Sequence, residues 1–146
     1  MGLSPTHASR STVLIGRRYL EHGFLDLAMR LFVRHAALVE KRDWNRLVQR
    51  LMDRHRIADA VRVCEIGGVP LPYAQLLALG DEHLGRKDFE GAIRLYELGD
   101  ADRERWARMV DLLTGRPDQG RRAIALVERY LVSEAPKIEP GLAAAN

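Results

Sequence analysis

The side chains best able to do proton or metal chemistry are His7, His22, His35, His55, His83 and the lone Cys64. No two histidines stand one helical turn apart, so no helix face aims a pair of imidazoles at one metal ion. A single thiol excludes both a cysteine-rich zinc site and an internal disulfide. No grouping of imidazoles and carboxylates sets an acid and a base on one face, and the chain carries no phosphate loop, dinucleotide turn or nucleophile elbow. These absences lead us to expect no enzyme, no metal and no cofactor.

Charge is the other source of chemistry. Lysine occurs only at Lys41, Lys87 and Lys137, so nearly all positive charge is arginine, and the net charge is +3 with a sequence pI near 9.3. Residues 1–64 hold 12 Lys/Arg against 6 Asp/Glu, whereas residues 65–146 hold 11 against 14, so an acidic partner is expected to prefer the first half. Arg30, Arg62 and Arg94 recur every 32 residues, a ladder that could track phosphates. Asp26, Asp59 and Glu90 lie about one turn before them, so the expected reading is a row of ion pairs on a solvated face. Arginine-mediated nucleic-acid binding is the lesser alternative.

Helices must position these residues. With 47% apolar and 29% charged residues the composition suits one folded domain, and no apolar run approaches the roughly 20 residues that cross a bilayer. Arginine, alanine, leucine and glycine usage points to a GC-rich bacterial genome, and the cytoplasm is the expected compartment. Residues 1–8 read as a flexible lead-in, with Ser11 or Thr12 capping a first helix that Gly23 ends. Asp43 is placed as the N-cap of a third helix, and Asp88 as the cap of a sixth. Gly67-Gly68 with Pro70 and Pro72, and later Thr114 to Gly120, punctuate the chain. The tail 134–146 reads as disordered.

Four columns recur at the same interval of 32 residues. Ala28, Ala60 and Ala92 form one, and Phe32, Cys64 and Tyr96 another. Ile15, Leu47 and Leu79 form a third, and Leu25, Ile57 and Phe89 the fourth. In the third unit the pattern Leu79-Gly80, His83, Asp88-Phe89, Ala92 and Tyr96 resembles the tetratricopeptide repeat family, as do Ile15-Gly16, Tyr19, Gly23, Ala28 and Phe32 in the first. Close helix approach requires small residues, so Gly16 is expected to face Ala28 and Gly80 to face Ala92. The second and fourth units depart from the pattern, with Val48 and Val110 in place of glycine.

The resemblance implies an all-α protein, a right-handed superhelix of four helical hairpins at about 9–40, 41–72, 73–102 and 103–133. It also implies a non-catalytic protein-protein adaptor that holds a partner peptide or helix against the first helices of its hairpins. Carried onto this chain, that concave face presents Arg10, Val13, Arg17 and Leu20, then Arg42, Asn45, Gln49 and Met52. It continues through Leu77, Asp81 and Leu84 to Glu104, Ala107, Arg108 and Asp111. Arg17 and Arg42 would hold a carboxylate, while Asn45 and Gln49, one turn apart, would bond a peptide backbone. The family's chaperone-tail clamp is missing, because Val13 and Arg17 occupy its positions.

The last helix carries more apolar surface than one hairpin needs. Ile124, Leu126, Val127 and Leu131 are therefore expected to form a second docking surface, for a homodimer or another partner.

Overall fold

The computed structural model describes residues 5–132; the expected tail at 134–146 and the first four residues of the lead-in lie outside them. Among the described residues the chain is all-helical, with eight α-helices and no strand. None of these helices is long and apolar enough to cross a membrane. Two compact units divide at Pro72 and Tyr73, each made of two helical hairpins.

The first unit holds α1 (Pro5–Glu21), α2 (Leu25–Arg34), α3 (Lys41–Asp53) and α4 (Ile57–Gly67). A short 3-10 turn, Ala36–Leu38, follows α2. Helix α1 opens at Pro5, earlier than its sequence suggests, since proline at a first helical position gives up no hydrogen bond. Thr12 is accordingly no cap: its Oγ1 donates back to the Ala8 carbonyl at 2.8 Å. Helix α3 buries Trp44, Leu47, Val48, Leu51 and Met52, the i, i+3, i+4, i+7, i+8 stripe of an amphipathic helix.

The second unit holds α5 (Tyr73–Gly85), α6 (Phe89–Leu98), α7 (Arg103–Thr114) and α8 (Gly120–Leu126). The longer last turn contains the 3-10 segment Pro117–Gln119, and α8 runs on in the wider π register over Val127–Val132. Asp88 caps α6 as its sequence suggests, its carboxylate accepting from the Gly91 amide at 3.1 Å. His83 braces that cap from 2.7 Å. Its Nδ1 and the carboxylate lie where a Cβ on residue 91 would stand, which explains the glycine.

The 32-residue period is written into the backbone as well as the side chains. Gly23, His55 and Lys87 all take the left-handed conformation, at φ of 82°, 57° and 64°. Each is followed by an amide reaching back five residues, Phe24 to Tyr19, Arg56 to Leu51 and Asp88 to His83, at 2.8 to 2.9 Å. Three hairpins thus close with the same Schellman turn, although only Gly23 has the residue type that such a turn favours. Gly68 and Asp100 repeat the device between hairpins.

Small residues do permit close approach, but their partners differ from expectation. A Cβ on Gly16 would stand 2.8 Å from the Phe32 ring, and one on Gly80 2.5 Å from the Tyr96 ring; the nearest atoms are not those of Ala28 or Ala92. Glycine is needed because the edge of an aromatic ring sixteen residues later meets the first helix there. At the equivalent place in the second hairpin Val48 stands with Cys64, trading bulk from one helix to the other. Phe32 then meets Trp44 edge to face at 5.9 Å, and Tyr96 meets Trp106 likewise at 5.6 Å. Such pairs contribute roughly 0.5–1.5 kcal/mol beyond simple burial.

The columns Ala28–Ala60–Ala92 and Phe32–Cys64–Tyr96 are buried throughout. The Ile15–Leu47–Leu79 column is uneven: Leu47 is buried, Leu79 half-buried and Ile15 48% exposed.

Candidate functional site

The first helices carry a recurring ion cluster, and it uses residues that the resemblance assigns to partner binding. In the first unit Arg17 on α1 reaches the third residue of α3, Asp43, with Nε and Nη2 each 2.9 Å from a carboxylate oxygen. Asp43 is 2% exposed and also accepts the Glu40 amide at 3.3 Å, so it is the N3 residue of α3 rather than its N-cap. Glu40 stands 3.8 Å from the same guanidinium. The bond to Asp43 pushes the Arg17 guanidinium above its ordinary value, against a smaller opposing effect of burial. The carboxylate that Arg17 holds is therefore the chain's own.

The second unit builds the same cluster with its charges exchanged. Asp81 occupies the α5 position that Arg17 occupies on α1, and Arg105 is the third residue of α7, as Asp43 is of α3. Arg105 approaches Asp81 at 3.0 to 3.4 Å and donates Nη1 to Asp102, the N-cap, at 2.6 Å. Tyr96 Oη donates to Asp81 at 2.5 Å. Arg105 above all, with Tyr96 adding to it and burial opposing, holds the Asp81 carboxyl below the usual carboxylate range. Burial first, then Asp81, pushes the Tyr96 phenol well above its ordinary value. Each cluster centres on one guanidinium and two carboxylates, permuted over equivalent positions, and in the first Arg42 adds a second guanidinium at Glu40.

The remaining residues of the expected concave face divide by exposure. Leu20, Met52 and Leu84 are buried core residues and unavailable to a partner, because their helices turn those positions inward; Val13 is buried too, although it lines a cleft on α1. Leu77 is half-buried and lies over Gly99. Arg42 is exposed and pairs with Glu40 at 2.7 Å. Arg10, Asn45, Gln49, Arg108, Asp111 and Glu104 are exposed, and Ala107 is half-buried. Of these residues Arg10, Val13 and Arg17 are brought together in a cleft of about 430 Å³, completed by Leu14, Ala37, Leu38 and Glu40. The sequence places Leu14 on the broad apolar face of the first helix, as a packing residue; it is 55% exposed, and its lack of a counterpart in the packing columns was the available signal.

The last helix is more firmly tied than its sequence suggests. Leu126 is buried against the unit's own core, and Val127 and Leu131 are partly buried against it, so only Ile124, at 61% exposure, stands free as expected. Tyr130 stacks on Trp106 with ring centres 3.9 Å apart and donates its hydroxyl to Glu97 at 2.7 Å. Burial first, then Glu97, pushes that phenol up to about 12. Arg103 donates to the Leu131 carbonyl at 2.7 Å. An apolar cleft of about 430 Å³ remains between α7 and α8, lined chiefly by Val110, Ala123, Ile124 and Val127.

The arginine ladder is only partly neutralised as expected. Arg94 pairs with Glu90 at 2.6 Å, but Asp26 and Asp59 both turn to Arg56, at 2.6 and 2.7 Å. Arg30 and Arg62 are left beside Arg34 around a separate cleft of about 460 Å³ on α2 and α4. Residue spacing alone could not show that one arginine at a turn would collect both carboxylates.

Among the described residues no three His, Cys, Asp or Glu side chains are grouped to hold a metal ion. Cys64 is buried, which pushes its thiol up, and its Sγ lies 3.6 Å from the Pro70 carbonyl. No protein-family model, curated protein or solved structure matches the chain.

Proposed function

We propose that the chain is a non-catalytic adaptor of the tetratricopeptide-repeat kind, its hairpins wound as a right-handed superhelix, acting in a bacterial cytoplasmic assembly. It takes a peptide or helix of a partner protein against the first helices. The observation that carries this reading is the cleft on α1, where the exposed Leu14 stands beside Arg10 and opposite Leu38. A partner's apolar side chain would enter between the two leucines while an acidic neighbour met Arg10. Arg17 supports the wall of this cleft through Asp43 instead of contacting the partner.

A photo-crosslinking residue at Leu14, followed by identification of the adduct, tests the reading. Arg10→Glu should abolish the adduct with the fold intact. Equal adduct yield from Arg10→Glu and the parent would refute it.

The apolar cleft beside Ile124 favours a second reading, a homodimer or docked partner at the last hairpin. Solution mass against concentration decides it, since Ile124→Glu should dissociate such a dimer. A strict monomer in the parent chain would remove the homodimer.

A further inference from the structure

We propose that the cleft ringed by Arg30, Arg34 and Arg62 on α2 and α4 binds an acidic, aliphatic segment of a partner protein, a site separate from the Arg10 cleft and independent of it. Three guanidinium groups border one cleft of about 460 Å³. None of the three has an ion-pair partner among the described residues, because Asp26 and Asp59 are drawn to Arg56. Arg30 and Arg62 stand at equivalent places on successive second helices, and Arg34 lies one turn beyond Arg30 on the same helix. Among the described residues Asp26 is the only acidic one in the lining, and it is already bonded to Arg56.

The like charges repel one another until a counter-charge enters, and the unit as a whole carries the same sign. Residues 1–72 hold 12 Lys/Arg against 7 Asp/Glu. The planar guanidinium fork suits carboxylates and phosphates alike, so the remaining lining must choose between them. That lining is Met29 and Val33, aliphatic and half-buried. Among the described residues it offers no aromatic ring on which a base could stack, and Met and Val suit the side chains of Leu, Ile or Val. Carboxylates presented on an aliphatic segment satisfy both halves of the cleft, and a nucleic acid satisfies one.

The test is fluorescence anisotropy of the intact protein with a fluorescein-labelled peptide of Glu, Leu and Ala, alongside labelled single-stranded and duplex DNA. The peptide should bind, and more weakly as salt is raised. Arg30→Glu and Arg62→Glu should each weaken it by about tenfold or more, while Arg46→Glu, an exposed arginine outside the cleft, should change it less than about twofold. The arginines make no ion pair among the described residues, so the helical circular dichroism should survive each substitution. Arg30→Lys, which keeps the charge and loses the fork, should fall between. Absence of salt-dependent peptide binding would overturn the proposal, as would binding that Arg30→Glu and Arg62→Glu leave unmoved. Tighter binding of DNA through the same arginines would overturn it in favour of nucleic acid.

Discussion

Exchanging the members of the Arg17–Asp43 pair puts the permuted ion clusters to a quantitative test. Arg17→Asp sets three carboxylates together, namely the new one, Asp43 and Glu40; Asp43→Arg sets two guanidinium groups face to face. A pair of unit charges about 4 Å apart at an effective dielectric near 20 interacts by about 4 kcal/mol. Asp43 is 2% exposed and cannot escape into water, whereas the Arg17 side chain, 25% exposed, partly can. Breaking a buried pair from one side costs about 3–5 kcal/mol, and the partial exposure of Arg17 places each single reversal near 3 kcal/mol. In a unit of this size that lowers the melting temperature by roughly 10–20 °C.

The double variant rebuilds in the first unit the arrangement already present in the second, an arginine at the third helical position between two carboxylates. It should lose only about 1 kcal/mol, the contribution of the Asp43 carboxylate to the start of α3. The coupling between the two sites is then about 5 kcal/mol. Urea unfolding followed by tryptophan fluorescence measures it, with every member of the cycle in a Trp106→Phe background so that Trp44, beside Asp43, is the sole reporter. A coupling below about 1 kcal/mol, or a double variant no more stable than the singles, would refute the equivalence of the two clusters.

Four further outcomes follow from the local geometry. Lys87→Gly should stabilise the chain by about 0.5–1 kcal/mol, because a left-handed φ of 64° strains a side chain more than glycine costs in entropy; denaturant midpoints would show it. Gly80→Ala should cost at least about 2 kcal/mol, since Trp106 and Asp81 fix the Tyr96 ring that its methyl would strike. Gly120→Ala, where nothing lies within 4 Å, should gain about 0.5 kcal/mol. The depressed carboxyls of Asp81 and Asp102 contribute stability that is complete above their ordinary range near pH 4 and is lost as pH falls through their folded values. Asp81→Asn should therefore flatten the acid side of a stability-against-pH curve and lower its neutral plateau.

The sequence exposes the hairpins because packing repeats: the alanine column, the aromatic column and the turn at Gly23 all follow one period. Local signals also find Asp88 at its cap and Gly68 at the end of α4. Ion pairs are less legible. Asp43 looks like a cap from its neighbours, yet its true partner is Arg17, 26 residues earlier. Likewise Asp26 and Arg30, one turn apart, invite pairing, and only the fold brings Arg56 into competition from 30 residues away. Most of the candidate binding faces depend on such distant choices, so exposure and charge there had to come from the structure.

The permuted clusters also bear on how a duplicated chain assembles. Its first and third hairpins are near copies in their packing residues, so the second hairpin has two similar surfaces on which to dock during folding, and a neighbouring molecule supplies more. A first hairpin docked on a fourth would set Arg17 against Arg105, and a third docked on a second would set Asp81 against Asp43. Opposite polarity thus works as an address, penalising crossed pairing, within one chain or between two, that shape alone would tolerate. The doubly exchanged variant should regain its equilibrium stability while losing that address, and refold with more cross-paired dimer than the parent.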